Sequence, residues 1–380
     1  MKEEQQTRLW AVGPLCIAAL VLAVSVAFFS LYGTGQAAVQ AMSGAGEETA
    51  VAAWSVRTAA PSEIAGRQVV PMGRAVGIKL FSDGVMVVGF SEIATEEGRS
   101  APARDCGLKE GDIITHINST EVDTIEEVQA LLQELEGATM SIRAMRDDRQ
   151  IQISAQAVQC SADGSYKLGA WIRDSMAGIG TITFYDPESG IFGALGHGIN
   201  DVDTAQLMPL QAGSIMYAEV TDVQKGASGA PGELHGTFQV NRDMGDLFAN
   251  TGSGVFGTLS DASLVNGIEP VAVAERSEVQ VGPAVIRSNI AGEKVEEYQV
   301  EITRIYPSNG EDTRNLMVKV TDPALLDATG GIVQGMSGSP ILQNGKLVGA
   351  VTHVLVNDPT QGYGILAENM LAQASVGQCA

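Results

Sequence analysis

Residues 9–32 form an uncharged, largely apolar run of 24 positions, interrupted only by Gly13-Pro14 near its start. As a helix this run would measure about 36 Å, enough to cross a hydrocarbon core of about 30 Å. Lys2 and Arg8 precede it and the next basic residue is Arg57. That asymmetry predicts a cytosolic N-terminus at residues 1–8, a single transmembrane anchor at 9–32, and everything beyond Tyr32 outside the cytosol. A cleaved signal peptide competes, with the small residues 37–41 as its cutting point, but the length of the run favours the anchor. Residues 33–69 are small, polar and aperiodic, and read as a linker.

Beyond the linker the pattern changes twice. Over residues 70–156 one amphipathic helix stands among strands. Thr124-x-x-Glu127 fits a capping box, Val128, Leu131, Leu132 and Leu135 share a face, and Gly137 supplies a left-handed stop. Residues 141–145 and 150–153 alternate around a short turn, as a hairpin does. Over residues 160–380 helical periodicity disappears. Residues 181–185, 191–195, 215–220 and 300–305 read as short strands, and Asn344-Gly345 joins two more in a tight hairpin. The expected fold is mainly β: a small α+β domain followed by an all-β barrel domain, after one N-terminal transmembrane helix.

Charge and composition narrow the function. Lys and Arg number 23 against 45 Asp and Glu, a net charge of −22, which repels phosphate backbones and excludes nucleic acid as a partner. The 44 glycines favour short strands and turns. Four cysteines (Cys16, Cys106, Cys160, Cys379) form no CxxC pair, and four isolated histidines (His116, His197, His235, His353) form no HExxH. No metal and no cofactor is expected.

The remaining chemistry is nucleophilic. Gly335-Met336-Ser337-Gly338-Ser339-Pro340 and Gly226-Ala227-Ser228-Gly229-Ala230-Pro231 each frame a serine with glycines. Such a frame permits a tight turn that exposes the hydroxyl and aims backbone amides at a developing oxyanion. Gly196-His197-Gly198 ends an apolar strand and leaves its imidazole accessible to act as a base. Asp201, Asp203, Asp222 and Asp322 are all available to orient it. Lys225 precedes Ser228, but residues three apart in an extended segment face opposite ways, so Ser228 is the lesser candidate.

Two resemblances follow from these residues. Gly107-Leu108-Lys109-Glu110-Gly111-Asp112-Ile113-Ile114 followed by the amphipathic helix resembles a PDZ domain of the kind attached to bacterial proteases. It implies that a peptide ligand, from a partner or from the same chain, adds as a strand beside the helix, with Val76, Gly77, Ile78 and Leu80 on the edge strand and Val128 and Leu132 on the helix. Gly-Met-Ser-Gly-Ser-Pro before a strand-turn-strand resembles the nucleophile segment of chymotrypsin-like serine peptidases. Residues 193–201, 331–340 and 349–354, with the apolar N-terminus and the PDZ pattern, resemble the SpoIVB peptidase family.

That resemblance implies Ser337 as nucleophile, His197 as base, Asp322 as orienting acid, and the amides of Gly335 and Ser337 as oxyanion hole. It also implies a sporulation role: self-cleavage, and cutting of the extracytoplasmic part of a membrane regulator of an intramembrane metalloprotease, which then processes pro-sigma-K. The peptidase would lie in the space between the forespore membranes. A non-catalytic PDZ receptor, or a general quality-control protease of the HtrA type, are the alternatives. HtrA chains place the protease before the PDZ, the reverse of the order here.

Overall fold

Strand β1, Gln68–Phe90, belongs to two domains at once. The computed structural model describes residue 64, residues 66–307 and residues 313–374. The apolar run 9–32 therefore lies outside the described residues. Among the described residues no helix is long and apolar enough to cross a membrane.

The first half of β1 opens a ring of six strands. Its neighbours are β5 (Ala170–Asp186) and β7 (Ala212–Gln224). From β5 the ring continues through β6 (Ile191–Ala194), β9 (Gly254–Leu259) and β8 (Glu233–Thr251) back to β7. Its interior is filled by Val76, Ile78, Ile182, Phe192, Ile215 and Val255, each at most 3 % exposed. Burying one such side chain contributes roughly 1.5–3 kcal/mol.

The second half of β1 leaves this ring and enters the PDZ domain. There it pairs with β2 (Ile113–Ile117), which continues to β3 (Thr139–Arg146) and β4 (Arg149–Gln156). Helix α1 (Ile125–Leu135) packs on this sheet through Val128 and Leu132. Thr124 and Glu127 form the expected reciprocal cap, and the helix stops where Glu136 and Gly137 take left-handed φ of 45° and 79°. Asp112 of the Gly-Asp-Ile-Ile motif is fully buried and takes a two-pronged bond from Arg146 at 2.6 Å, which fixes the turn before β2. The chain then returns along β5 to the first ring. The PDZ domain is thus inserted between the first two strands of a barrel, rather than placed before it.

The second barrel is closed by β10 (Gly282–Ala291), β11 (Lys294–Ile305), β12 (Leu316–Val320), β15 (Asp358–Leu366), β14 (Lys346–Leu355) and β13 (Pro340–Gln343). The β13–β14 turn has Asn344 and Gly345 at φ 52° and 76°, the both-positive geometry that Asn-Gly favours. Helix α2 (Pro323–Thr329) precedes the Ser337 loop, and α3 (Ala367–Ala374) packs its Met370 and Leu371 in the core beside β14 and β15.

Candidate active site

Ser337 lies in a turn held at both ends by backbone contacts. Gly335 and Gly338 have φ of 95° and 98°, a region open to glycine. The Thr181 amide donates to Ser337 O at 3.1 Å and its hydroxyl to Gly335 O at 2.8 Å, so β5 of the first barrel staples the serine loop of the second. Gly338 lies so close to this strand that a Cβ there would stand 2.1 Å from Thr181 O. The Ser337 hydroxyl donates to Thr352 O on β14 at 2.6 Å. The amides of Gly335 and Ser337 have no hydrogen-bond partner among the described residues, which leaves two adjacent donors for a developing oxyanion.

His197 follows β6 through Leu195 and Gly196, both at positive φ (68° and 70°). Its Nδ1 lies 2.8 Å from Gly198 O. Nδ1 is assigned as the donor, and the lone pair then sits on Nε2, the tautomer a base needs. Asn250 secures the loop, accepting from the Ile199 amide at 2.8 Å and donating to Ile199 O and Met208 O. The His353 ring on β14 stands 4.8 Å from that of His197, centroid to centroid. Leu195 N bonds Thr181 O at 3.1 Å, so Thr181 contacts both the serine loop and the strand end before His197.

Burial pushes both imidazoles toward neutrality. His197 is lowered by desolvation, partly offset by its bond to Gly198 O. His353 is lowered to about 4 by desolvation, then by the charges of His197 and Arg314. A base must be neutral to work, and a depressed pKa extends that state to lower pH. We predict that the acid limb of the kcat/KM profile falls below the ordinary histidine value of about 6.5. A limb at or above 6.5 would contradict this environment.

None of the hydrogen bonds of Asp322 goes to His197. Asp322 caps α2: Oδ1 accepts from the amides of Ala324 (2.9 Å) and Leu325 (3.3 Å), Oδ2 from that of Gln299 (3.1 Å). These bonds, that of Gln299 foremost, hold its carboxyl below the usual range. An Asp before Pro at a helix start is placed for this task, and sequence alone does not distinguish it from a triad acid. Two of the other carboxylates, Asp201 and Asp203, are also engaged. Asp201 is buried and ion-paired to Arg173, which reaches Asp203 at 2.8 Å. Asp222 is exposed on β7. The acceptor facing the His197 Nδ1 is a backbone carbonyl. Asn keeps the oxygen that caps α2 and loses only the acceptor of Gln299 N, so Asp322→Asn is expected to keep kcat/KM within about threefold. A loss near 10⁴-fold would instead make Asp322 the orienting acid.

Ser228 is part of an exposed turn: its hydroxyl donates to Asn357 O at 2.8 Å, and Lys225 lies 3.9 Å from Asp327. Sequence reasoning passed over Thr181, Thr352 and Asn250, because none carries a motif and their roles arise from which strands meet.

The PDZ groove also needs correction. Val76, Gly77, Ile78 and Leu80 pair on one side with residues 176–180 of β5 and on the other with residues 213–217 of β7. Both edges are occupied, so this stretch of β1 has none to offer a peptide; it is barrel wall. Val128 and Leu132 do line a groove of about 720 Å³, whose opposite wall is residues 165–172 at the start of β5. Gln133 ties the two walls at one end, exchanging two 2.9 Å bonds with the Tyr166 backbone, and Asp174 ties them at the other by accepting from Ile125 N.

Two six-stranded barrels, with an exposable serine and a neutral histidine brought to their junction by one strand, define a PDZ-bearing serine protease. A profile of the PDZ domain matches residues 95–145, and one described as SpoIVB peptidase S55 matches residues 164–371, more than half of the chain. The chain belongs to the SpoIVB peptidase S55 family and is a serine peptidase. No curated protein matches it.

Among solved structures, it is similar to the PDZ domain of an SdrC-like protein from Listeria monocytogenes at 23 % identity, covering 24 % of this chain and 87 % of that one, with a TM-score of 0.20. It is also similar to the active form of the Rv3671c protease from M. tuberculosis at 15 % identity, covering 54 % and 75 %, with a TM-score of 0.30. For the HtrA-type protease AlgW with a decapeptide the values are 10 % identity, 84 % and 67 % coverage, and 0.31. These scores are low, and the assignment rests on the family match.

Proposed function

We propose that the chain is a membrane-anchored signalling endopeptidase of sporulation, with Ser337 as nucleophile and His197 as base. The observation that carries the chemistry is the meeting of the two glycine-framed loops at Thr181, beside two unpartnered amides. His197 Nε2 takes the Ser337 proton as the hydroxyl attacks the scissile carbonyl. Gly335 N and Ser337 N receive the oxyanion, and the imidazolium protonates the leaving amine. Water then enters, gives its proton to His197 and releases the acyl group from Ser337. Asp322 contributes by holding α2, and with it the approach to the serine loop.

The biological part rests on the family. The substrates are the chain itself and the extracytoplasmic part of the regulator that restrains an intramembrane metalloprotease, cut between the forespore membranes. The groove between α1 and β5 takes the peptide ligand. The test is a reaction of the full chain in proteoliposomes with the purified extracytoplasmic domain of that regulator, followed by intact mass. One or a few Ser337-dependent cuts are expected. Equally fast consumption of unfolded casein would point to a general protease instead.

A further inference from the structure

Strand β5 has an open edge between its two ends. From residue 170 to 180 it pairs with β1 alone; at Thr181 the other edge is taken by Ser337 O and Leu195 N, and β6 follows from Ile182 onward. The α1 groove lies along the start of this stretch, and a second apolar cavity of about 110 Å³ lies at its end. Met176, Gly178 and Ile179 line the latter together with Leu195 and Ile199, the neighbours of His197. Beyond that cavity comes Thr181, bonded to Ser337 itself.

The far end is built for a carboxylate. Leu168 O and Gly169 O accept from Ala103 and Ser91, but the amides of Leu168 and Gly169 donate to nothing among the described residues. Gly169 holds φ of 73°, with Ser91 O 2.5 Å from where a Cβ would be. Two successive free amides on a turn at the end of an apolar groove suit a terminal carboxylate.

A peptide added antiparallel to β5 with its C-terminus at Leu168 runs toward Ile179 and then to Ser337. Eleven positions separate Leu168 from Ile179, about 36 Å at 3.3 Å per residue. Building on the reading of Ser337 as nucleophile, we infer that the groove and the active site hold one substrate chain along the open edge of β5, so that cleavage falls about ten to twelve residues before a free, apolar C-terminus. The leaving amine belongs to the groove-bound segment, and the short C-terminal peptide is the first product released. Val128, Leu132 and Ile172 line the groove, so a leucine-like last residue fits better than a charged one.

The full chain is given synthetic peptides built on one sequence that it cuts in the regulator's extracytoplasmic domain, with 4, 8, 11 or 20 residues after the cut, ending in leucine as free acid or carboxamide. We expect kcat/KM for the 11-residue acid to exceed that for the 4-residue acid at least tenfold, and the carboxamide to fall back to the 4-residue level. Rates independent of length and of the terminal acid would overturn this inference while leaving the protease intact. So would a separate C-terminal decapeptide that accelerates cleavage of the 4-residue substrate, since the groove would then be an effector site. No cleavage of any peptide or of the regulator's extracytoplasmic domain would overturn the Ser337 reading and this inference with it.

Discussion

Replacing Ser337 by alanine is expected to abolish peptide hydrolysis, by roughly a millionfold in kcat, while leaving the fold intact. The hydroxyl makes one hydrogen bond, to the backbone oxygen of buried Thr352 on β14, and the side chain is half-buried. Its loss therefore costs little stability, about 1 kcal/mol. In the proposed reaction every covalent step needs it, because its Oγ is the atom that attacks the scissile carbonyl and carries the acyl group until water removes it. Ser228→Ala is the matched comparison: the residue has the same glycine frame, but it lies in an exposed turn and its removal should leave the rate unchanged. Equal activity of the Ser337 variant and the wild type in a peptide assay would remove the basis of the proposed mechanism.

The second large effect is on the scaffold. Gly338→Ala should destabilise the chain by about 3 kcal/mol or more and reduce kcat/KM at least about a hundredfold. The new Cβ would stand 2.1 Å from Thr181 O and 2.6 Å from Leu195 N, both backbone atoms that cannot rotate aside, at a φ of 98°. The serine loop must then move away from Thr181 and from Leu195, the two backbone contacts that set it against the loop carrying His197. Gly345→Ala provides the scale. That glycine has φ of 76° but nothing within 4 Å, so only the strain of a left-handed alanine remains, about 1–2 kcal/mol. Thermal unfolding of the two variants, with the activity of whichever stays folded, checks this. Similar Tm values for both would show that the Thr181 contact is not tight.

The pattern of apolar positions made the elements legible, and their partners much less so. The capping box at Thr124, the Asn344-Gly345 hairpin and the strands around residues 181–185 and 300–305 follow from local chemistry, and each appears where expected. Residues 76–80 show the limit. An apolar strand beside a glycine suits a PDZ edge and a barrel wall equally, and only the long-range pairing with β5 and β7 decides. The insertion of one domain inside another has the same origin, because strand direction and return path leave no trace in periodicity.

At the site, Ser337 and His197 stood out because glycine frames are local. Thr181, which holds their loops together, is one threonine among many in a strand. Asp322 was legible as an aspartate before a proline, a pattern shared by a helix cap and a catalytic acid; its three amide partners separate the two readings here.

The central claim is that Ser337 is made nucleophilic by His197. Its most direct test is reaction of the full chain with a fluorophosphonate, followed by peptide mass mapping. One phosphonyl adduct on the peptide containing Ser337 is expected, absent from its Ser228 counterpart and lost in His197→Gln. No adduct at Ser337, or one that forms equally well without His197, would contradict it.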